Sequence, residues 1–349
     1  MKIVIIGASR GFGKWLANFI TKQNFKNIEI VLTGREEENL KQISKDLNCK
    51  YSLDNIASVK DADVVIFSVP ISATEWIIKE VAPHIKPGAM VLDVTSIKKF
   101  PSITMEKYCD KSCLIVPTHP MFGPFVSSIA GQIIVLTPLN EEDKQDKRYQ
   151  FLFNFLKNAG AKVMETMPVE HDKMMAVVQG LTHLNMFVFA ETIKRLGVDI
   201  ENSLEFVSPV YKIMLSSVAR YMHQNPKLYG DIQMYNDEVL NVHKIYREVG
   251  HDFSTLVKAH NEEDFIKIIE GTKDYFGDNA IAGQKYTDKI IYMISRQVEL
   301  LKNNINKEVK LKNIYDNREV FGVLISFENN IIKLDNREEY NIDEWEVIK

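Results

Sequence analysis

Lys2-Ile3-Val4-Ile5-Ile6-Gly7-Ala8-Ser9-Arg10-Gly11-Phe12-Gly13 opens the chain, and the amphipathic stretch Lys14–Gln23 follows directly. The apolar run reads as a strand, the glycines as a tight turn and the stretch after them as a helix. Strand, glycine turn and helix in this order bring backbone N–H groups close to a pyrophosphate at the positive end of a helix dipole. The spacing is Gly-x3-Gly-x-Gly instead of the usual Gly-x-Gly-x-x-Gly, so the context carries the reading more than the pattern does. A plain glycine turn is the alternative. The expectation is a dinucleotide held by Gly7, Ala8, Ser9, Arg10, Gly11, Phe12 and Gly13.

The sequence beyond this opening supports it. Lys2–Ile6, Ile28–Leu32, Val64–Val69, Met90–Val94, Leu114–Val116, Gln132–Leu136 and Ala161–Glu165 are strand-length apolar runs. Amphipathic stretches such as Glu37–Leu47 and Thr74–Val81 lie between them. This alternation predicts an α/β fold, with a Rossmann-type doubly wound domain over residues 1–167 built on one mostly parallel sheet. From Pro168 the period becomes helical, which predicts an all-helical second domain over 168–304. Its breakers are Pro209, Asn225-Pro226, Gly250 and the Gly277–Gly283 stretch. Met174-Met175-Val178-Leu181 and Phe187-Ala190-Ile193 mark apolar faces, and a domain apolar on several faces is expected to pack against a second copy as a homodimer. Residues 305–349 read as a small β module. Its strands are Val309–Ile314, Val320–Phe327, Asn330–Asp335 and Trp345–Ile348, with turns at Asp316-Asn317 and Asn329-Asn330.

Bulk composition excludes several classes. The 349 residues are 45% hydrophobic and 26% charged, as in ordinary globular chains. A formal charge of −4, with six basic and nine acidic residues from Lys310 to Lys349, argues against nucleic acid. No apolar run approaches the roughly 20 residues of a membrane helix. The strand beginning at Lys2 leaves no room for a targeting segment, which predicts a cytoplasmic protein. Cys49, Cys109 and Cys113 form no metal-binding spacing and read as reduced structural thiols. No metal site is expected.

Cofactor choice is read at the end of the second strand, where NAD binders place an acid on the ribose 2′-OH. Here the sequence is Leu32-Thr33-Gly34-Arg35, with no acid before Glu36. The hydroxyl of Thr33 and the guanidinium of Arg35 suit a 2′-phosphate, so NADP is favoured over NAD.

Candidate catalytic residues stand at strand ends. Ser68-Val69-Pro70 closes one strand and Asp93-Val94-Thr95-Ser96-Ile97-Lys98 the next. Pro117-Thr118-His119-Pro120-Met121-Phe122-Gly123-Pro124 follows a third and reads as a rigid loop fixing one imidazole. Open α/β sheets bind ligands at this edge, which marks His119 as a candidate base. Further on come Gln179-Gly180-Leu181-Thr182-His183, Ser208-Pro209-Val210-Tyr211, Val218-Ala219-Arg220 and Asn225-Pro226-Lys227-Leu228-Tyr229.

SVPISATEWII, DVTSIKKFP and HPMFGP in this order, with QGLTH in the helical half, resemble the prephenate dehydrogenases over roughly residues 1–280. The glycine loop departs from many members by one residue, and the β tail lies outside the pattern. The resemblance implies oxidative decarboxylation of prephenate to 4-hydroxyphenylpyruvate, a step of tyrosine biosynthesis, with hydride passing to NAD(P)⁺. It implies His119 as the general base, Ser96 orienting imidazole or substrate, and Arg220 on the ring carboxylate. His183 and Lys98 would line the same pocket, and Tyr229 would lie near the substrate's side chain. Ser68, Val69 and Pro70 would border the cofactor. His171 reads as structural or inter-subunit.

Three rival functions share part of this pattern. Arogenate dehydrogenase shares the fold and differs in an amino group remote from the reacting carbon. β-Hydroxyacid dehydrogenases use a catalytic lysine in the helical part and have no place for the Thr-His-Pro-Met segment. A non-catalytic dinucleotide-binding redox sensor would be expected to lack the base or the anion site.

Overall fold

A computed structural model of the chain describes residues 1–23 and 25–348; Asn24 and Lys349 lie outside them. It divides into two compact units, Met1–Gly250 and His251–Lys349.

The first unit is built on six parallel strands: β1 (Lys2–Ile6), β2 (Glu29–Thr33), β3 (Lys50–Ser52), β4 (Val64–Phe67), β5 (Met90–Asp93) and β6 (Leu114–Ile115). Their order is β3-β2-β1-β4-β5-β6, the doubly wound arrangement expected from the alternation. Helices α1 (Gly11–Lys22), α2 (Glu37–Leu47), α3 (Asn55–Val59), α4 (Ile71–Val81) and α5 (Lys99–Tyr108) form the crossovers. The strands are apolar at successive residues because both faces are covered. Ile3, Ile5, Leu32, Ile66 and Leu92 enter one core layer. Val4, Ile6, Val31, Val65, Phe67 and Val91 enter the other. Strand β3, short and polar at the sheet edge, had no apolar run to announce it.

The two later strands do not join this sheet. β7 (Thr118–Pro120), β8 (Ile133–Leu136) and β9 (Lys162–Glu165) form a separate sheet in the order β7-β8-β9, with α6 (Lys147–Asn158) between β8 and β9. The segment around His119, expected to be a loop, is therefore partly a strand, antiparallel to β8 with His119 opposite Val135. Strand β6 stops after two residues. Pro117, which has no N–H to donate, follows Val116 before the chain enters the new sheet.

Helix α7 (Pro168–Met175) continues through a π-helical turn, Ala176–Leu181, into α8 (Thr182–Arg195). Then come α9 (Ile200–Ser203), α10 (Pro209–His223), α11 (Pro226–Tyr235) and α12 (Val239–Lys258). Pro209 and Pro226 act as helix starters, with the Ser208 and Asn225 side chains capping the N–H groups of Tyr211 and Lys227. Gly250, expected to break the chain, lies inside α12. An exposed glycine there costs only about 1 kcal/mol against alanine, too little to end a 20-residue helix.

The second unit contains the end of α12, α13 (Glu262–Phe276) and α14 (Asp278–Asn303), with Gly277 at φ +51 between the last two. Strands β10 (Glu308–Asn313), β11 (Glu319–Glu328), β12 (Ile331–Leu334), β13 (Glu339–Asn341) and β14 (Trp345–Val347) follow. They form an antiparallel sheet in the order β13-β12-β11-β10-β14. Asn329 and Asn330, at φ 50 and 64, make the two-residue turn that matches the strand twist. Leu301 of α14 packs with Val309, Leu311, Leu324, Ile332, Leu334 and Trp345. Among the described residues no helix is long and apolar enough to cross a membrane.

Candidate active site

The order of strands reverses between β1 and β4, and Gly7 lies there against β4. A Cβ on Gly7 would meet the Ser68 carbonyl oxygen at 2.2 Å, and its φ of +90 excludes side chains independently. A Cβ on Gly13 would meet the Gly7 carbonyl oxygen at 2.4 Å. The turn is pinned by the Gly7 and Ala8 N–H groups, which both donate to the Thr33 carbonyl at 2.9 Å. Helix α1 begins at Gly11 with no side-chain cap and no acid in its first turn, leaving its N–H groups free for an anion. The cradle has room for a dinucleotide pyrophosphate, which the backbone from Gly7 to Gly13 would hold beside Ser68, Val69 and Pro70. Phe12 packs on Trp15 and Phe122, and the Trp15 indole N–H donates to the Val126 carbonyl at 2.8 Å. The segment after His119 is thereby anchored to the nucleotide helix.

At the end of β2 one expectation needs correction. Thr33 is fully buried and its hydroxyl has no partner, while its carbonyl is taken by the Gly7 and Ala8 N–H groups, so it presents no hydroxyl at this strand end. Arg35 is exposed. Arg10 lies within 3.1 Å of Glu36, so two guanidinium groups stand beside this strand end.

His119 is 2% exposed. Its Nδ1 lies 2.9 Å from Nε2 of His171, whose Nδ1 lies 2.8 Å from Oδ1 of Asp172. Asp172 is fixed in turn by the backbone N–H groups of Lys98 (2.8 Å) and Lys99 (2.9 Å) at the start of α5. On its other side, Nε2 of His119 is 3.4 Å from the Gln179 amide nitrogen in the π turn. Burial, then the neighbouring His171 and Lys98, hold the His119 pKa well below its usual value. Burial also lowers His171, against the opposing pull of Asp172.

His171, read from the sequence as structural or inter-subunit, belongs to the same buried cluster as His119. Sequence reading missed it, together with Asp172 and Gln179. A signal was present, since a spacing of eight residues puts His171 and Gln179 within one broad helix face.

Lys98 also departs from its expected place. It does not line a pocket, because its side chain is fully buried. Its ammonium pairs with Asp93 Oδ2 at 2.6 Å and donates to the Thr118 carbonyl at 2.8 Å, next to His119. Asp93 Oδ2 also accepts from the Thr95 hydroxyl at 2.5 Å and the Thr95 N–H at 3.0 Å. A buried ion pair of this kind fixes geometry more than it adds stability. Ser96 stands half-buried between Thr95 and Ile97, with no side-chain hydrogen bond among the described residues.

The helical side contributes an aromatic group. His183 packs on Tyr229 (4.8 Å between ring centroids), Tyr221 (5.2 Å) and Phe187 (6.5 Å). Its Nδ1 is buried without a partner, and burial pushes its pKa down to about 4. The Tyr229 hydroxyl is engaged by Gln224. Arg220, at the end of α10, is exposed and has no carboxylate partner among the described residues. The π turn is held by Gln233, whose amide donates to the Gly180 carbonyl at 2.9 Å, and Gly180 leaves room for Val239. Such turns occur often at functional sites.

A nucleotide cradle at a switch point, together with a buried imidazole on the strand that follows the parallel sheet, defines a nicotinamide-nucleotide-dependent oxidoreductase. The prephenate dehydrogenase nucleotide-binding domain model matches residues 16–165, and the prephenate dehydrogenase dimerization domain model matches residues 167–271. A "Probable arogenate/prephenate dehydrogenase" of Methanocaldococcus jannaschii is 39% identical over 99% of this chain and 78% of its own length. The prephenate dehydrogenase of Bacillus subtilis is 25% identical over 63% of this chain and 60% of its own length. In fold, the chain is similar to prephenate dehydrogenase from Aquifex aeolicus (TM-score 0.62, 21% identity, 79% of this chain and 96% of that one). That structure holds hydroxyphenyl propionate and NAD⁺. The Synechocystis arogenate dehydrogenase is also similar in fold (TM-score 0.58, 18% identity, 79% and 100%). The chain belongs to the prephenate dehydrogenase family.

Proposed function

We propose that the chain oxidises prephenate to 4-hydroxyphenylpyruvate and CO₂ with His119 as the general base, and that it prefers NADP to NAD. The burial of His119 a few residues past the end of β6, hydrogen-bonded to His171, is the observation that carries this reading. An oxidised nicotinamide, when bound, supplies the hydride acceptor. His119 takes the hydroxyl proton as hydride leaves the ring carbon that bears the hydroxyl. Loss of CO₂ then leaves a phenolate, to which the imidazolium returns the proton, so that the base ends as it began. A histidine held below its ordinary pKa is suited to both transfers, being neutral at rest and strongly acidic once charged.

Arg220, with no carboxylate of its own, can take the ring carboxylate bidentately. Ser96 can hold the hydroxyl against His119. His183, with Nδ1 free of partners, would line the same pocket as Arg220, and Tyr229 would lie near the substrate's side chain. The NADP preference rests on Arg35 and Arg10, both beside the end of β2, and on the absence of an acid before Glu36. We place the protein in the cytosol, where its three free cysteines would remain reduced. A homodimer through the helical region fits the exposed apolar side chains there.

The test is reduced-nucleotide formation with prephenate and with arogenate, each crossed with both cofactors. The reading expects the highest kcat/KM for prephenate with NADP⁺. A clear arogenate preference would reassign the substrate, and a clear NAD⁺ preference would reassign the cofactor.

A further inference from the structure

We propose that His171 and Asp172 fix the tautomer of His119, so that Nε2 of His119 is the atom that takes and returns the substrate's proton. The proposal rests on the reading of His119 as the base.

The chain of hydrogens begins where there is no freedom. Asp172 accepts two backbone N–H groups, from Lys98 at 2.8 Å on Oδ1 and from Lys99 at 2.9 Å on Oδ2. A carboxylate held in this way offers only lone pairs. The His171 Nδ1, 2.8 Å from Oδ1, therefore carries its hydrogen and donates it. Neutral His171 is left with a bare Nε2, which accepts from whatever faces it. His119 Nδ1 faces it at 2.9 Å, so this nitrogen carries the hydrogen. His119 Nε2 is then the bare nitrogen.

The other end of the chain is compatible with this tautomer. The group facing His119 Nε2 is the Gln179 amide nitrogen at 3.4 Å, a donor that suits a lone pair. The remaining charges nearby are Lys98 and Asp93, which pair with each other at 2.6 Å on the Thr118 side. Neither offers His119 an alternative hydrogen-bond partner.

This arrangement also prepares the site for the charged intermediate. When Nε2 of His119 is protonated, the imidazolium shares its Nδ1 hydrogen with His171, and His171 shares its own with Asp172. One negative charge is thus linked to the transient positive one inside a buried cluster, where an uncompensated cation would be disfavoured. His171 and Asp172 touch no reacting atom; they are positioning residues.

The decisive measurement is the ring ¹⁵N spectrum of the full-length wild-type protein labelled at histidine, near pH 7.5, with the His119 signals assigned from His119→Asn. The expected result is a protonated Nδ1 and a bare Nε2 on His119. The opposite tautomer overturns the proposal whatever the activity of His119→Asn, and an unchanged kcat in His119→Asn refutes the base without touching the tautomer. Kinetics supply a second arm. His171→Leu should lose kcat on the order of 10²-fold while KM for prephenate stays within about threefold. His171→Gln, whose amide oxygen can accept in place of Nε2, should recover most of that loss. Equal losses in the two variants, with folding intact by circular dichroism, would also overturn it.

Discussion

The imidazole of His119 titrates in a setting that disfavours charge, and this fixes the sign of its pH response. Its pKa is held below the usual 6.5 by burial, so the base is neutral above that lowered value and is lost as pH falls through it. The acid limb of kcat/KM should accordingly fall below pH 6.5; a limb at or above 6.5 would contradict the burial argument. His119→Asn should reduce kcat by a factor on the order of 10²–10⁴ with little change in KM. Arg220→Ala should mainly raise KM for prephenate and leave cofactor affinity unchanged. His183 gives a stability prediction. Its pKa is about 4 in the folded chain against 6.5 ordinarily, so the unfolded chain binds more protons between those values. Its contribution is complete above pH 6.5 and is lost as pH falls toward 4. In urea melts His183→Gln should therefore show a flatter pH dependence across this window than the wild type. At this scale His119 was legible because prolines and a strand end mark it locally. Lys98 and His171 were not. Whether a lysine at a strand end turns inward depends on Asp93 and on a carbonyl twenty residues away, and His171 meets its partner across 52 residues.

Helices and turns show how one substitution can change sign with its surroundings. Gly13→Ala places a Cβ 2.4 Å from a backbone oxygen that cannot move without opening the β1–α1 turn. It should lower both melting temperature and nucleotide affinity, and Gly7→Ala should do so more severely. Gly250→Ala, with open space around it inside α12, should stabilise by about 0.5–1 kcal/mol. Thermal melts of the three variants with and without NADP⁺ would separate these cases, and a destabilised Gly250→Ala would contradict the reading of α12 as an uninterrupted exposed helix. Elements with a strong local period were legible: α2 lies where its apolar spacing puts it, and β1 follows its Val/Ile run. The separate β7-β8-β9 sheet was not, since a strand's apolar pattern does not say which sheet it joins. Nor was the π turn, which requires Gln233 and Val239 from elsewhere in the chain.

At the scale of the whole molecule, the helices after α11 carry apolar side chains with little cover. Among the described residues α13 buries none of its side chains, α12 only Val239 and α14 only Leu301. Most helical stability in proteins comes from covering an apolar face. These helices have such faces: Leu240, Ile245, Val249 and Val257 on α12, and Ile266, Ile269 and Phe276 on α13, are all exposed. Scattered single residues would need no explanation, but clusters of this size on consecutive helices call for a partner surface. The dimerization-domain model that matches residues 167–271 includes α12 and most of α13, which makes a second copy the economical partner. Sedimentation equilibrium should therefore give twice the chain mass at micromolar concentration. The double variant Ile245→Asp, Val249→Asp adds charge to two exposed positions one helical turn apart. In a monomer it should leave stability nearly unchanged; in a dimer it should shift the mass toward one chain and lower the melting temperature together. A wild-type chain that sediments as a monomer would refute the dimer and leave these helices needing another cover.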